Sequence, residues 1–171
     1  MDSNFRDLDP LLSRSAAYGV GHQITLISSG GYRRGKGPDG LPPPESVPEI
    51  LALYDRHPHL RFFREYFEQL GPFLSEDETH RARLPTCTAG TQGFNIDHVG
   101  NVAPCIERIG EPVGNVKKHS LPELHQKLRA AQAVVSRCQD CMTACRGFQQ
   151  ALGGGSSLRA LKDLSLRMRA S

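Results

Sequence analysis

All five cysteines of this 171-residue chain fall between Cys87 and Cys145. Cys87 and Cys105 flank a short apolar segment containing glycine, and Cys138, Cys141 and Cys145 follow as C-x2-C-x3-C. Thiolates are soft ligands that select zinc or iron–sulfur clusters over hard cations, and C-x2-C is the usual spacing for setting two sulfurs on one metal. The five are therefore candidate ligands of a metal or cluster. A single activated cysteine nucleophile is the poorer reading. His98, His119 and His125 lie in the same region, but several closely spaced thiols point to shared ligation.

A chain of this length fits one domain or two small ones. The apolar fraction of 38% supports a core that contains no tryptophan. No apolar run approaches the roughly 18 residues that a membrane span needs, so no membrane partner is expected. Met1-Asp2-Ser3-Asn4 lacks the basic and apolar regions of a signal peptide. That predicts a cytoplasmic protein, a setting in which clustered thiols bind metal rather than form disulfides. A net charge of +3 makes no case for a polyanionic partner, and nucleic acid is not expected. The seven histidines are scattered without ligand-like spacing, and most read as surface residues.

The elements that must position the cysteines can be read from periodicity. Leu8, Leu11, Leu12 and Ala16 predict a helix ending near Gly19. His22 to Ser28 predicts a buried strand. Ser29 to Pro44 is a basic loop rich in Gly and Pro, without a phosphate-binding signature. Ser46-Val47-Pro48-Glu49 has the form of a capping box, opening a helix with Ile50, Leu51, Leu53 and Tyr54. A second helix carries Leu60, Phe63, Phe67 and Leu70 on one core-facing stripe, and Gly71-Pro72 is expected to end it. Glu76 to Arg83 is a charged linker or short helix.

Phe94 and Ile96, the turn residues Asp97 to Asn101, and Val102 predict a hairpin. Gly100 is expected at a positive φ that a side chain would resist. The hairpin folds the chain back and brings Cys105 towards Cys87. A second capping box, Ser120-Leu121-Pro122-Glu123, starts a helix whose buried face is Leu121, Leu124, Leu128, Ala131 and Val135. That helix runs almost directly into Cys138. One cysteine pair thus sits on a hairpin and the other on a post-helical loop. After Gly153-Gly154-Gly155, a basic amphipathic helix is expected from Ser156, packing on its own chain; a partner or membrane surface is the alternative.

Residues 87–147 resemble the auxiliary-cluster domain of radical S-adenosylmethionine enzymes, the SPASM/twitch group. The likeness is carried by Cys87, twelve residues, Gly100, four residues and Cys105, and by the phrase Ile96-Asp97-His98-Val99-Gly100-Asn101-Val102-Ala103-Pro104-Cys105. Gly114-Asn115-Val116, the helix, Cys138-x2-Cys141 and Cys145-Arg146-Gly147 complete it. A full SPASM domain continues as C-x2-C-x5-C-x3-C and holds two clusters; this chain stops at C-x2-C-x3-C. Five thiolates suffice for one four-iron cluster, not two. The resemblance therefore implies the twitch form, one 4Fe-4S cluster on Cys87, Cys105, Cys138 and Cys141. Cys145 either replaces Cys141 as a ligand or stands as a free thiol beside the cluster.

The C-x3-C-x2-C motif that holds the S-adenosylmethionine-cleaving cluster is absent, since no cysteine precedes Cys87. Residues 1–79 resemble the late strand–helix units of the family's partial α/β barrel. The expected architecture is thus an α/β barrel remnant (1–79), a small α+β hairpin–helix iron–sulfur domain (80–150), and a Gly linker with a tail helix (151–171). The implied role is an auxiliary cluster for electron transfer or substrate positioning, in a chain unable to cleave S-adenosylmethionine alone. The implied partners are a radical-enzyme chain or missing barrel, and a peptide substrate. A structural zinc module for protein interaction is the alternative. It fits four cysteines in two pairs, but the 17-residue gap from Cys87 to Cys105 is unlike the short C-x2-4-C knuckle.

Overall fold

The computed structural model describes residues 5–26, 41–81, 84, 86–139, 141–144, 146–148 and 157–169. Most of the basic loop 29–44, the Gly153–Gly155 break and Cys145 lie outside the described residues. Helix α1, Leu8–Ala17, turns Leu12 into the core. The strand expected from His22 to Ser28 shrinks, over described residues 22–26, to one parallel bridge between His22 and Leu60. No other strand precedes it among the described residues, so it has no ladder to join. The Leu26 amide donates instead to the Tyr66 hydroxyl at 3.3 Å.

A 3-10 turn, Pro44–Ser46, leads into α2, Val47–Arg56. The capping box expected at Ser46 does not form. The turn holds Ser46 at φ −75° and ψ −15°, already helical, and its side chain makes no capping bond. Pro48 also has no N–H to offer it. Helices α3, Arg64–Glu68, and α4, Leu70–Leu74, follow with little break. Gly71-Pro72 does not end this run, because Pro72 falls in the first turn of α4, where its missing N–H is not needed. A short α5, Glu78–Arg81, closes the first part.

The core these helices enclose is aromatic. Tyr54, Phe62, Phe63, Tyr66 and Phe67 are all buried, with ring centroids 4.8 Å apart for Tyr54–Phe67 and 4.7 Å for Phe62–Tyr66. Leu60, Phe63, Phe67 and Leu70 are buried together as their spacing predicts, although Leu60 and Phe63 precede α3. Burying such side chains stabilises by roughly 1.5–3 kcal/mol each. Met142 and Ala160 belong to the same cluster, so the cysteine region and the tail both reach into it. The tail helix packs on its own chain. Its span is Ser157–Arg169. Arg167 lies over the Tyr54 ring at 3.3 Å and donates to the carbonyls of Tyr54 and His57 at 3.0 and 3.3 Å. Asp163 meets the Tyr54 hydroxyl.

His57 and His59 are buried rather than on the surface. His57 Nε2 lies 2.6 Å from Asp9 Oδ1 and His22 Nε2 lies 2.6 Å from Ser15 Oγ, tying α1 to the rest. His59 stands edge-on to His57 at 5.4 Å, with its Nε2 buried and unpartnered among the described residues. Burial, with the His57 ring second, pushes the His59 pKa below its ordinary value of 6.5. The unfolded chain therefore binds the proton more readily. His59's contribution is fully present above pH 6.5 and is lost as pH falls from there through the folded-state value. Urea melts across that range should show stability falling with pH, and His59→Gln should flatten the slope; an unchanged slope would show that His59 does not set it.

In the cysteine region, β1 (Asn95–Ile96), β2 (Asn101–Ala103) and β3 (Gly114–Asn115) form an antiparallel sheet in that order. The register pairs Ile96 with Val102, and Val102 with Gly114. Phe94 and Ile96 face solvent, while Val102 and Ala103 are fully buried. Asp97 Oδ1 accepts the amides of Val99 and Asn101 at 3.0 and 2.8 Å, and Gly100 takes φ 94°. A Cβ on Gly100 would stand 3.0 Å from Val116 Cγ2. Gly100→Val should cost on the order of 1–2 kcal/mol in backbone strain and impair metal loading without touching a cysteine. Metal affinity equal to the parent's would contradict this. Helix α6, Leu121–Val135, opens with the predicted capping box, Ser120 and Glu123 bonding reciprocally. Leu124, Leu128 and Val135 are buried, but Leu121, at the first helical position, is 74% exposed instead of joining them.

Candidate metal centre

Three elements carry the described cysteines. Cys87 precedes the hairpin and is buried in a small cluster with Ala89 and Val135, against which Cys105 packs. Its carbonyl accepts Gln132 Nε2 of α6 at 2.8 Å, fixing the loop to the helix. Cys105 leaves β2 in extended conformation and heads the 3-10 turn Ile106–Arg108, with its carbonyl accepting the Arg108 amide at 3.2 Å. The hairpin thus does what its sequence predicts and returns Cys105 to Cys87. Cys138 lies just past α6, its amide donating to the Val135 carbonyl at 3.0 Å. Cys141 follows on the same loop.

The thiols sense one another. Burial pushes Cys105 up, and the neighbouring Cys87 adds to it. Burial also raises Cys141, with Cys87 and Cys105 contributing and Arg146 opposing. Cys87, Cys105 and Cys141 therefore share one electrostatic neighbourhood. Arg146 Nη1 ties the Cys138 and Cys141 backbones together, donating to their carbonyls at 3.4 and 3.0 Å. As placed, no three histidine, cysteine or carboxylate side chains among the described residues are close enough to hold a metal ion. Asp140 and Cys145 lie outside the described residues. The donor set nevertheless suits a thiophilic metal. It is four thiols on three short loops, one buried and three half-buried, with a guanidinium bonded to the backbone of two of them.

The loop carrying Cys141 is pinned to the aromatic core. The Tyr66 hydroxyl donates to the Met142 carbonyl at 2.8 Å, and Thr25 Oγ1 accepts the Ala144 amide at 3.2 Å. Gly147 lies against the same wall. A Cβ there would run into the Tyr66 ring and stand 3.1 Å from Phe62 Cε1, so no larger residue fits. The histidines of the region have other roles. His119 Nδ1 is within 3.2 Å of the Asn115 backbone, while His98 and His125 are exposed. Gln132, Tyr66, Thr25 and Arg146 escape a reading that follows cysteines alone. Of these, Arg146 carries a visible signal, a cation set among ligands in Cys145-Arg146-Gly147.

Residues 87–146 match the family model of SPASM, an iron–sulfur cluster-binding domain. The matched stretch opens on Cys87, ends on Arg146 and contains all five cysteines. It agrees with the resemblance to the SPASM/twitch domains of radical S-adenosylmethionine enzymes. Domains of the matched kind bind iron–sulfur clusters. No curated protein and no solved structure matches the chain. Among the described residues, no helix is long and apolar enough to cross a membrane.

Proposed function

We propose that the SPASM segment holds one 4Fe-4S cluster as the auxiliary centre of a radical S-adenosylmethionine protein. Cys87, Cys105 and Cys138 are ligands, with Cys141 or Cys145 as the fourth. The observation that carries this reading is the family match over 87–146, laid on a structure in which the thiols of Cys87, Cys105 and Cys141 influence one another. When bound, such a cluster exchanges single electrons. The chain's own residues hold and shield it. Val135 and Ala89 exclude water from Cys87, Gln132 fixes the Cys87 loop, and Tyr66 and Thr25 fix the Cys141 loop.

A fourth thiolate closes the site to substrate and favours electron transfer; three would leave an iron open for substrate positioning. In either role the chain acts beside a barrel carrying C-x3-C-x2-C, on a substrate of peptide type, in the cytoplasm. It does not cleave S-adenosylmethionine alone. Residues 1–79 are the late units of that barrel, and a supplied strand would extend the segment that, among the described residues, makes the His22–Leu60 bridge. The test is anaerobic reconstitution with iron and sulfide, followed by iron, sulfide and zinc analysis. Four irons with four sulfides per chain is the expected result. Stoichiometric zinc without inorganic sulfide would replace this reading with a structural zinc module.

A further inference from the structure

We propose that Arg146 is the built-in counter-charge of this metal centre, positioning its second cysteine pair and setting how readily it takes up an electron. The inference rests on the iron–sulfur reading above. Arg146 is 5% exposed, and a guanidinium stays charged even when buried. Burying that charge is costly unless the surroundings answer it. Here it donates through Nη1 to the carbonyls of both Cys138 and Cys141, so the cation sits against the backbone of both cysteines. Its own backbone is fixed, with the Arg146 amide 3.4 Å from Thr143 Oγ1. Gly147, the next residue, is wedged against Tyr66 and Phe62. The backbone that carries the guanidinium is thus set against the aromatic core, while its Nη1 reaches back to the cysteine loop.

Two consequences follow from charge alone. Four thiolates bring more negative charge than an iron–sulfur core cancels, so a buried cation stabilises the loaded state. The reduced cluster is more negative than the oxidised one, so the same cation stabilises it further and raises the reduction potential. The electron comes from an external donor of low potential and stays on the cluster; no bond forms or breaks at Arg146. Arg146 is a positioning residue, not a catalytic one.

The test uses the full chain, reconstituted anaerobically, as parent, Arg146→Gln and Arg146→Lys. Gln keeps hydrogen-bond donors and loses the charge; Lys keeps the charge. Midpoint potentials are read by redox titration of the visible absorption. Loss of the charge should lower the equilibrium constant for reduction at least tenfold, which is about 59 mV for one electron, while Lys should stay within threefold of the parent. A Gln variant that loads fully and titrates within twofold of the parent would overturn the proposal. If Gln does not load, Lys decides. Loading with a near-parent potential supports the counter-charge, and failure to load would reduce Arg146 to a hydrogen-bonding fork and sink it. A parent that binds only zinc would instead remove the reading on which the inference rests.

Discussion

Serine at Cys87, Cys105, Cys138 or Cys141 is expected to strip the protein of its cluster and of order across the whole SPASM segment. The apolar clusters here are small: Cys87, Ala89 and Val135 in one, Val102, Leu124 and Leu128 in the other. Clusters of three buried residues contribute little folding energy of their own. In small metal domains the bound ion supplies on the order of 10 kcal/mol of folding energy, and losing one thiolate forfeits much of it. Visible absorption after reconstitution and limited proteolysis measure the two effects together. Each variant should be colourless and cleaved within the 87–148 stretch, while the aromatic core stays resistant. Cys145→Ser checks the last ligand: it should keep its colour, whereas a colourless Cys145→Ser beside a coloured Cys141→Ser would make Cys145 the fourth ligand. If all four single variants keep their colour, the ligand set is wrong.

Tyr66→Ala should have the next largest effect, and it should act on both halves at once. The ring is 1% exposed and packs on Phe62 and Phe67, so its deletion costs about 3–5 kcal/mol. Its hydroxyl also holds the Met142 carbonyl, next to Cys141. Tyr66→Phe isolates that bond and should cost only about 1 kcal/mol, while speeding loss of metal to a chelator. Urea unfolding and chelator kinetics on the loaded chain separate the two contributions. Should Tyr66→Phe release metal at the parent's rate, the pinning of the Cys141 loop has no bearing on the centre.

What was legible in the sequence was local. The Asp97–Asn101 turn, the Ser120–Glu123 capping box and the helix running to Val135 all depend on neighbours within a few residues, and the structure has them. The strand at His22 and the box at Ser46 failed for reasons that a local pattern does not contain. The first lacks a partner strand among the described residues, and the second meets a 3-10 turn and Pro48. Gly71-Pro72 misled because a proline at a helix start and one past its end look alike. The bonds that set the site into the core join Tyr66 to Met142 and Thr25 to Ala144. They close over 76 and 119 residues of chain, a separation at which sequence spacing carries no information. The buried pair His57 and His59 was missed because their burial comes from α1 folding over them.

The chain has four tyrosines and no tryptophan, so its near-ultraviolet emission comes from very few places. Tyr18 is 71% exposed and Tyr32 lies outside the described residues. Tyr66 stands behind Cys141, where an iron–sulfur chromophore would drain its excited state. Tyr54 is covered by the Arg167 guanidinium, and burial, reinforced by Asp163, pushes its phenol well above the ordinary value of 10. Arrival of the cluster and docking of the tail thus each have their own native optical reporter.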